Sequence, residues 1–361
     1  MKIKTEILQK IVSKAIQGAG NNKMIPLTSL IGIEFKEDSI GGKGNLILTT
    51  IDGSNQLKIN QEVEGTGDFY TIVNAETFAK LVGKTTKEFI ELENKENYLM
   101  FIGNGQYKLD IAINEEGEIV KFPEITTIEG EPEEIDTKEL KEALEISKQS
   151  VAKTMEIPFL TGYYIGTDNI ITTDRQLACT LDKKLVKEDL LISAEMAELL
   201  KLVNEEKINL LKDDNQLVFY TDTITISGQE LEGKEIYPVR AINNLTKLEY
   251  SNNIKVNRQE LLNVLDRMSL FVTNYDNNGV RLAFTKEGLL VTSQKSNAQE
   301  LIDGEYTDDK EYDVILDIKM FKSQLDSLHN EYVEIYYGQD KSIELKENDV
   351  VLVVSLINKA E

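Results

Sequence analysis

Apolar residues recur along this chain at two alternating periods. Ile7, Leu8, Ile11, Val12, Ala15 and Ile16 form one stripe at helical spacing, with Lys10, Ser13 and Gln17 opposite and Lys14 at the flank. The pattern predicts a helix over Thr5–Gln17, stopped by Gly18 and Gly20. Short β-favouring runs follow at Leu30–Phe35, Leu46–Ile51 and Gln56–Val63. The helical period returns over Asn74–Lys87, with Asn74 as the expected N-cap and Phe78, Leu81 and Val82 as the buried face. Phe89–Asn94, Tyr98–Ile102 and Tyr107–Ile113 then read as strands. Ile125–Asp136, with Gly130, Pro132 and a cluster of Glu, reads as a linker.

The same order then recurs. Helices are predicted at Thr137–Lys153 and Ser193–Lys207, and again at Asn257–Leu270 and Asp317–Glu331, each followed by strand patterns. The first helices begin near residues 5, 137 and 257, the second near 74, 193 and 317. A spacing of about 120 residues is a domain repeat, too long for a solenoid. The first two units also end alike, with Glu116-Gly117 before Phe122-Pro123 and Glu232-Gly233 before Tyr237-Pro238. The expected class is α+β, three repeated domains at 1–124, 125–245 and 246–361, each with two helices on antiparallel sheets.

Pro158–Thr180 is the most distinctive stretch. Tyr163–Ile165 and Ile170–Thr173 are strand runs separated by Thr167-Asp168-Asn169, so a hairpin is predicted. It ends on Thr173-Asp174-Arg175-Gln176-Leu177-Ala178, small polar residues and a charge pair where a strand should stop. Leu160 and Leu177, with Thr173 nearby, are placed to leave a shallow apolar cleft ringed by polar groups, suited to a peptide rather than to catalysis. A plain core hairpin with a capped exit fits the same residues.

Composition narrows the choices. The chain has 361 residues, 41% of them hydrophobic, enough for several packed cores. Its single cysteine, Cys179, leaves no disulfide within the chain and fits a reducing compartment. No apolar run is long enough to span a membrane, and the N-terminus lacks the features of a signal peptide, so a cytoplasmic protein is expected. The net charge of −23 opposes contact with phosphate, but it is unevenly spread. The six predicted helices, the first counted from Lys4, sum to +2, so the remaining 272 residues carry −25. A surface lined by the helices would repel DNA least. Its basic candidates are Lys10, Lys14, Lys23, Lys80, Lys84, Lys148, Lys201, Arg258 and Lys322. Lysines on solvated helix faces read equally well as ordinary surface.

Enzyme chemistry is sparse. His329 is the only histidine, so no Ser-His-Asp or Cys-His arrangement is available. No phosphate-binding glycine loop and no Cys/His metal spacing occurs, so neither cofactor nor metal is expected.

With these residues in hand the chain resembles the bacterial DNA sliding clamp, the β subunit of the replicative polymerase, as a divergent member. Family clamps carry Thr-Asp-(Gly/Ser)-His-Arg-Leu-Ala after the hairpin. Thr173-Asp174-Arg175-Gln176-Leu177-Ala178 matches it one residue short and without the His. Gly279-Val280-Arg281-Leu282, Gly288-Leu289-Leu290-Val291-Thr292, Tyr237-Pro238 with Arg240, and Val353-Val354-Ser355-Leu356-Ile357 match in order. The resemblance implies a head-to-tail homodimeric ring of six domains around duplex DNA, with no catalysis. It implies a pocket for short hydrophobic motifs of polymerase, clamp loader and repair proteins, formed by Leu160, Thr173, Asp174, Arg175, Leu177, Pro238, Arg240, Val353, Leu356 and Ile357. It also implies a dimer contact of Tyr107 and Leu109 with Phe271 and Val272. One departure is that the second helices of units one and two start with Ala75-Glu76 and Ala194-Glu195, where family clamps often place Arg or Lys. Two other readings stand beside this one: an acidic clamp-like decoy or DNA mimic that binds partners without encircling DNA, and a carboxylate-metal enzyme.

Overall fold

Among the described residues, six of seven helices are entered directly from a short strand. This computed structural model describes residues 1–361 except 21, 23, 40, 126–127, 251, 275–276, 294–297, 307–311, 340 and 358–361. The helices are α1 (Thr5–Ala15), α2 (Ala75–Gly83), α3 (Thr137–Ser147), α4 (Ala194–Leu200), α5 (Val239–Leu245), α6 (Arg258–Met268) and α7 (Ile318–Asp326). All but α5 follow a strand without a gap, from Lys2–Lys4 before α1 to Tyr312–Asp317 before α7. The N-terminal amide orphans of several helices are met by the last strand residue. Asn74 accepts from Thr77 N at 2.9 Å, Asn257 from Glu260 N at 3.0 Å, and Asp317 from Lys319 N at 2.7 Å and Met320 N at 3.2 Å.

The repeat is written into the main chain as well. The first residue of α1, Thr5, donates its amide to Glu88 O; Thr137 of α3 donates to Glu206 O; Arg258 of α6 donates to Glu331 O, each at 2.9 Å. In every copy the strand that launches the first helix is thereby tied to the segment just beyond the second helix.

Among the described residues, three antiparallel sheets of twelve, nine and four strands carry these helices. Contacts group the chain into two units, Met1–Lys138 with Glu195–Glu230, and Glu139–Ala194 with Leu231–Glu361. The first unit holds the twelve-stranded sheet, whose long strand Asn55–Glu64 pairs along Lys43–Ile51 and along Ile224–Gln229. The second holds the other two sheets, and there Leu177–Leu181 pairs with Val350–Ser355. Ladders run from a strand near the end of one repeat back to a strand in the middle of the one before it, and segment 125–245 is divided between the two units.

In the first unit Leu8, Ile11, Val12 and Ala15 of α1 are buried, with Phe78 and Val82 of α2. Gln9 donates Nε2 to Val82 O at 3.1 Å and Thr85 O at 3.0 Å, capping the end of α2 from α1. Gly18 stops α1 where a Cβ would lie 2.6 Å from Leu57 Cβ, so only glycine lets the backbone approach the sheet this closely.

Several elements depart from expectation. Glu133–Asp136, read as linker, is a strand at the edge of the twelve-stranded sheet, paired among the described residues with Lys207–Asp213 alone. An edge strand keeps one side in water, which suits its acidic residues. The helix expected over Ser193–Lys207 ends at Leu200, because Leu202 and Val203 bond back to Leu199 O and Leu200 O and fully bury Val203. The helix expected to Lys153 ends at Ser147 with one tight turn beyond, and that expected to Glu331 ends at Asp326 as Ser327 and Leu328 bond back to Gln324 O and Leu325 O. α5 lies in what reads as a connector. The strand expected at Tyr107–Ile113 is Gln106–Asp110, and the strand pattern expected over Leu289–Gln294 is observed as Gly288–Ser293, Gln294 lying outside the described residues.

Candidate binding site

The hairpin is present as Gly162–Ile165 and Ile170–Thr173, and its unusual tail is a tight turn into a third strand, Leu177–Leu181. Asp174 organises the turn. Its Oδ1 accepts from Gln176 N at 2.9 Å and Leu177 N at 2.6 Å, while its own amide donates to Leu177 O at 3.2 Å. Thr173 Oγ1 donates to Leu177 O at 2.7 Å and accepts from Arg175 N at 3.0 Å. The turn is so short that Arg175 takes φ +82°, a conformation natural to glycine.

Below the turn, Leu160, Tyr164, Ile171, Ala178, Leu191, Tyr237, Ile242 and Val353 form one buried cluster. The Tyr164 and Tyr237 rings stack at 5.4 Å. Burial pushes the Tyr237 phenol well above its usual range, and its hydroxyl donates to Ile171 O at 3.3 Å. Against this floor opens a cleft of about 420 Å³, lined by Ala152, Thr154, Glu156, Ile157, Leu160 and the turn Asp174–Gln176.

Of the residues singled out from sequence, Leu160, Asp174 and Arg175 line the cleft, and Val353 shares the cluster with Leu160. Leu177 is buried opposite Val354 in the ladder, beside Ala178 opposite Val353, and Thr173 is buried in the turn. Pro238 is the N-cap of α5 and Arg240 is exposed in its first turn, next to Tyr237 and Ile242 of the cluster. Leu356 and Ile357 are half-buried, their amides held by Lys341 O at 2.8 Å and Ile315 O at 2.7 Å. The wall from Ala152 to Ile157 was missed by sequence reasoning, because it has no secondary-structure period to mark it.

The basic candidates differ in how they are held. Lys10 and Lys84 are exposed, without an ion-pair partner among the described residues. Lys80 pairs with Glu76, Lys201 with Glu198 at 3.0 Å, and Lys322 with Asp266. Arg258 donates to Asn330 O at 2.9 Å and Leu325 O at 3.4 Å, so it caps the end of α7. Lys14 is half-buried, Lys148 is exposed, and Lys23 lies outside the described residues. Tyr107 is exposed and Leu109 buried on Gln106–Asp110, an edge strand of the twelve-stranded sheet. Phe271 and Leu270 protrude from the turn after α6, being 52% and 79% exposed, and Val272 follows half-buried.

No protein-family profile matches the chain. It is similar to the beta sliding clamp of Bacillus subtilis (strain 168), 24% identical over 300 residues, which is 78% of this chain and 76% of that protein. Among solved structures, the beta subunit from DNA polymerase of Streptococcus pyogenes superposes with a TM-score of 0.86 at 16% identity, covering 99% of each chain. The DNA polymerase sliding clamp of Bacillus subtilis does so with 0.85 at 17% identity, and the DNA polymerase III β subunit of Thermotoga maritima with 0.85 at 16%, again over 99% of each chain. The chain thus has the fold of these proteins along nearly its whole length and resembles the sliding clamp in sequence along most of it.

Proposed function

We propose that this chain, folded as a bacterial sliding clamp, is a non-catalytic processivity factor. Two copies close head to tail into a six-domain ring around duplex DNA, and the ring tethers DNA polymerase, the clamp loader and repair proteins in the cytoplasm. The observation that carries the reading is the sequence likeness to a beta sliding clamp over 300 residues. The domains of the ring are 1–124, 125–245 and 246–361. Gln106–Asp110, with Tyr107 and Leu109, meets the exposed turn at Leu270, Phe271 and Val272 of the second copy. A closing heterologous contact covers both the open strand edge and this apolar turn.

The partner motif enters at the cleft beside Leu160 and Asp174–Gln176 and extends over Leu177, Pro238, Arg240, Val353, Leu356 and Ile357. Affinity comes from aliphatic area removed from water, at about 25 cal/mol per Å² before ordering costs. DNA is held loosely, through Lys10, Lys84 and the other basic side chains of the helices, because a clamp must slide. Retention on nicked circular DNA after treatment with a clamp loader tests the reading. A ring stays bound until the circle is cut and then slides off the ends. A chain that never remains on the circle is no clamp.

A second reading has an observation of its own. Lys80, Lys201, Lys322 and Arg258 are engaged by neighbours of the same chain, and Glu76 occupies the first turn of α2. An acidic decoy that captures clamp-binding proteins without encircling DNA fits this. It would bind the motif peptide normally and fail the circle test.

A further inference from the structure

Arg175 holds a backbone conformation that a long side chain resists. Among the described residues, five non-glycine positions take positive φ. Four are Asp214, Asn277, Asn278 and Asn348, at φ +48° to +53°, types whose short polar side chains tolerate the left-handed region. Arg175 is the fifth, and its φ of +82° lies furthest from theirs. A second turn of this kind shows the ordinary solution. Asp52 Oδ1 accepts from Ser54 N at 2.8 Å and Asn55 N at 2.7 Å, as Asp174 Oδ1 accepts from Gln176 N and Leu177 N, and there the residue after the aspartate is Gly53. An arginine held where glycine is free is strained, and strain of this kind gathers at working sites.

The guanidinium is also uncommitted. The chain has five arginines. Arg258 donates to Asn330 O and Leu325 O, Arg267 to Glu300 and Arg281 to Asp313. Arg175 and Arg240 are exposed and have no side-chain partner among the described residues. Arg175 lines the cleft with Leu160, and Arg240 stands on α5, whose Val239, Ile242 and Leu245 pack into the apolar cluster that contains Leu160. In a chain with 63 acidic residues against 40 basic ones, both uncommitted arginines thus flank one apolar cluster. The other charges of the lining are accounted for. Asp174 turns Oδ1 to two amides of its own turn, and exposed Glu156, on the segment Ala152–Ile157, repels any carboxylate laid beside it.

We propose that Arg175 is a specificity-determining residue that reads a carboxylate on the partner, so that the cleft takes an aliphatic segment with an acidic group on the Arg175 side. The planar guanidinium fork matches the two oxygens of a carboxylate. The inference rests on the reading of this cleft as the partner site. Net charge sharpens the discrimination: the acidic chain repels an acidic peptide at long range, and Arg175 rewards one only when its carboxylate arrives at the right position. The carboxylate comes from an acidic side chain or from the partner's own C-terminus.

The test titrates the full chain, at physiological salt, with a fluorescent Ser-Gln-Leu-Gln-Leu-Phe-Gln-Ser amide. Each Gln is replaced by Glu in turn, and in one further peptide the terminal amide becomes a free carboxylate. The expected result is that one carboxylate-bearing peptide binds about fivefold tighter than the neutral one. That ratio falls to about one in Arg175→Gly, which also relieves the backbone, and below one in Arg175→Glu. The peptide that gains distinguishes a side chain from a C-terminus. A ratio near one for every peptide on the unaltered chain, or a gain that survives both substitutions, overturns the proposal. Loss of the neutral peptide in Leu160→Asp checks the site itself. If the neutral peptide binds there and no carboxylate is preferred, the inference alone falls; if no peptide binds saturably, the reading of the site falls and takes the inference with it.

Discussion

The carboxylate of Asp174 lies 2.6 Å from the amide of Leu177 and accepts its hydrogen bond. That contact, with the companion bond from Gln176, sets the direction in which the third strand of the hairpin departs and keeps one wall of the cleft in place. Asp174→Ala removes an acceptor shared by two amides. A loss of about 1–2 kcal/mol in unfolding free energy is expected, together with a several-fold loss in affinity for an aliphatic motif peptide. Denaturant melts and anisotropy titrations read the two effects separately. Unchanged values in both would show that the turn holds its shape without the carboxylate.

Arg175 carries a left-handed backbone, φ +82°, that an L side chain resists and glycine does not. In the turn that Asp52 holds by accepting from Ser54 N and Asn55 N, the residue after the aspartate is Gly53, at φ +113°. Arg175→Gly is expected to raise stability by about 0.5–1 kcal/mol, read as a small rise in melting temperature. A fall would mean that the arginine side chain contributes more than its backbone costs.

Phe271 and Leu270 expose large apolar surfaces next to each other. If they seal the ring, Phe271→Asp should leave a folded chain of 40.8 kDa where the parent sediments at twice that mass. Sedimentation velocity over a dilution series checks it. A parent that is already monomeric at high concentration removes the ring itself.

Glu344 is fully buried in the strand Ser342–Glu347. Lys346 Nζ stands 2.9 Å from Oε2, and among the described residues no other group is directed at the carboxylate. Burial raises the carboxyl above its ordinary 4.5, outweighing Lys346, which lowers it. In the window between the unfolded and folded values the native state holds the extra proton, so stability falls as pH rises through it. Glu344→Gln should therefore be more stable than the parent at neutral pH, with the advantage shrinking as pH falls from the raised folded value toward about 4.5. Melting curves of both proteins from pH 4 to 7.5 test the sign. An advantage independent of pH would show that ionisation is not the cause.

Much of this architecture is legible in the sequence because it repeats. The stripe of α1, the buried face and Asn74 cap of α2, and the spacing of the two helix series are local signals, set by side chains three and four residues apart. The short strands that lead into the helices other than α5 are not legible. Glu133–Asp136 is acidic enough to read as linker, and its extended form comes from a ladder with Lys207–Asp213, more than seventy residues away. α4 looks longer in sequence than it is, because burial of Val203 ends it.

The candidate site divides in the same way. Leu160 and the run Thr173–Ala178 stand out as residues, since a Thr-Asp pair followed by apolar positions is turn chemistry. That Asp174 and Arg175 share a cleft with Ala152 and Ile157, or that Leu177 faces Val354, follows from strand pairing across nearly the whole second half of the chain. The sequence by itself determined the class of fold, the three-fold repetition and the turn residues, all consequences of short-range periodicity and backbone preference. Tertiary structure alone decided which side chains meet, which lysines are taken up by neighbouring carboxylates, and that the turn at Asp174 borders the apolar cluster around Leu160 and Tyr237. Those outcomes depend on register between distant strands, and register is settled only when burial and hydrogen bonding are satisfied together.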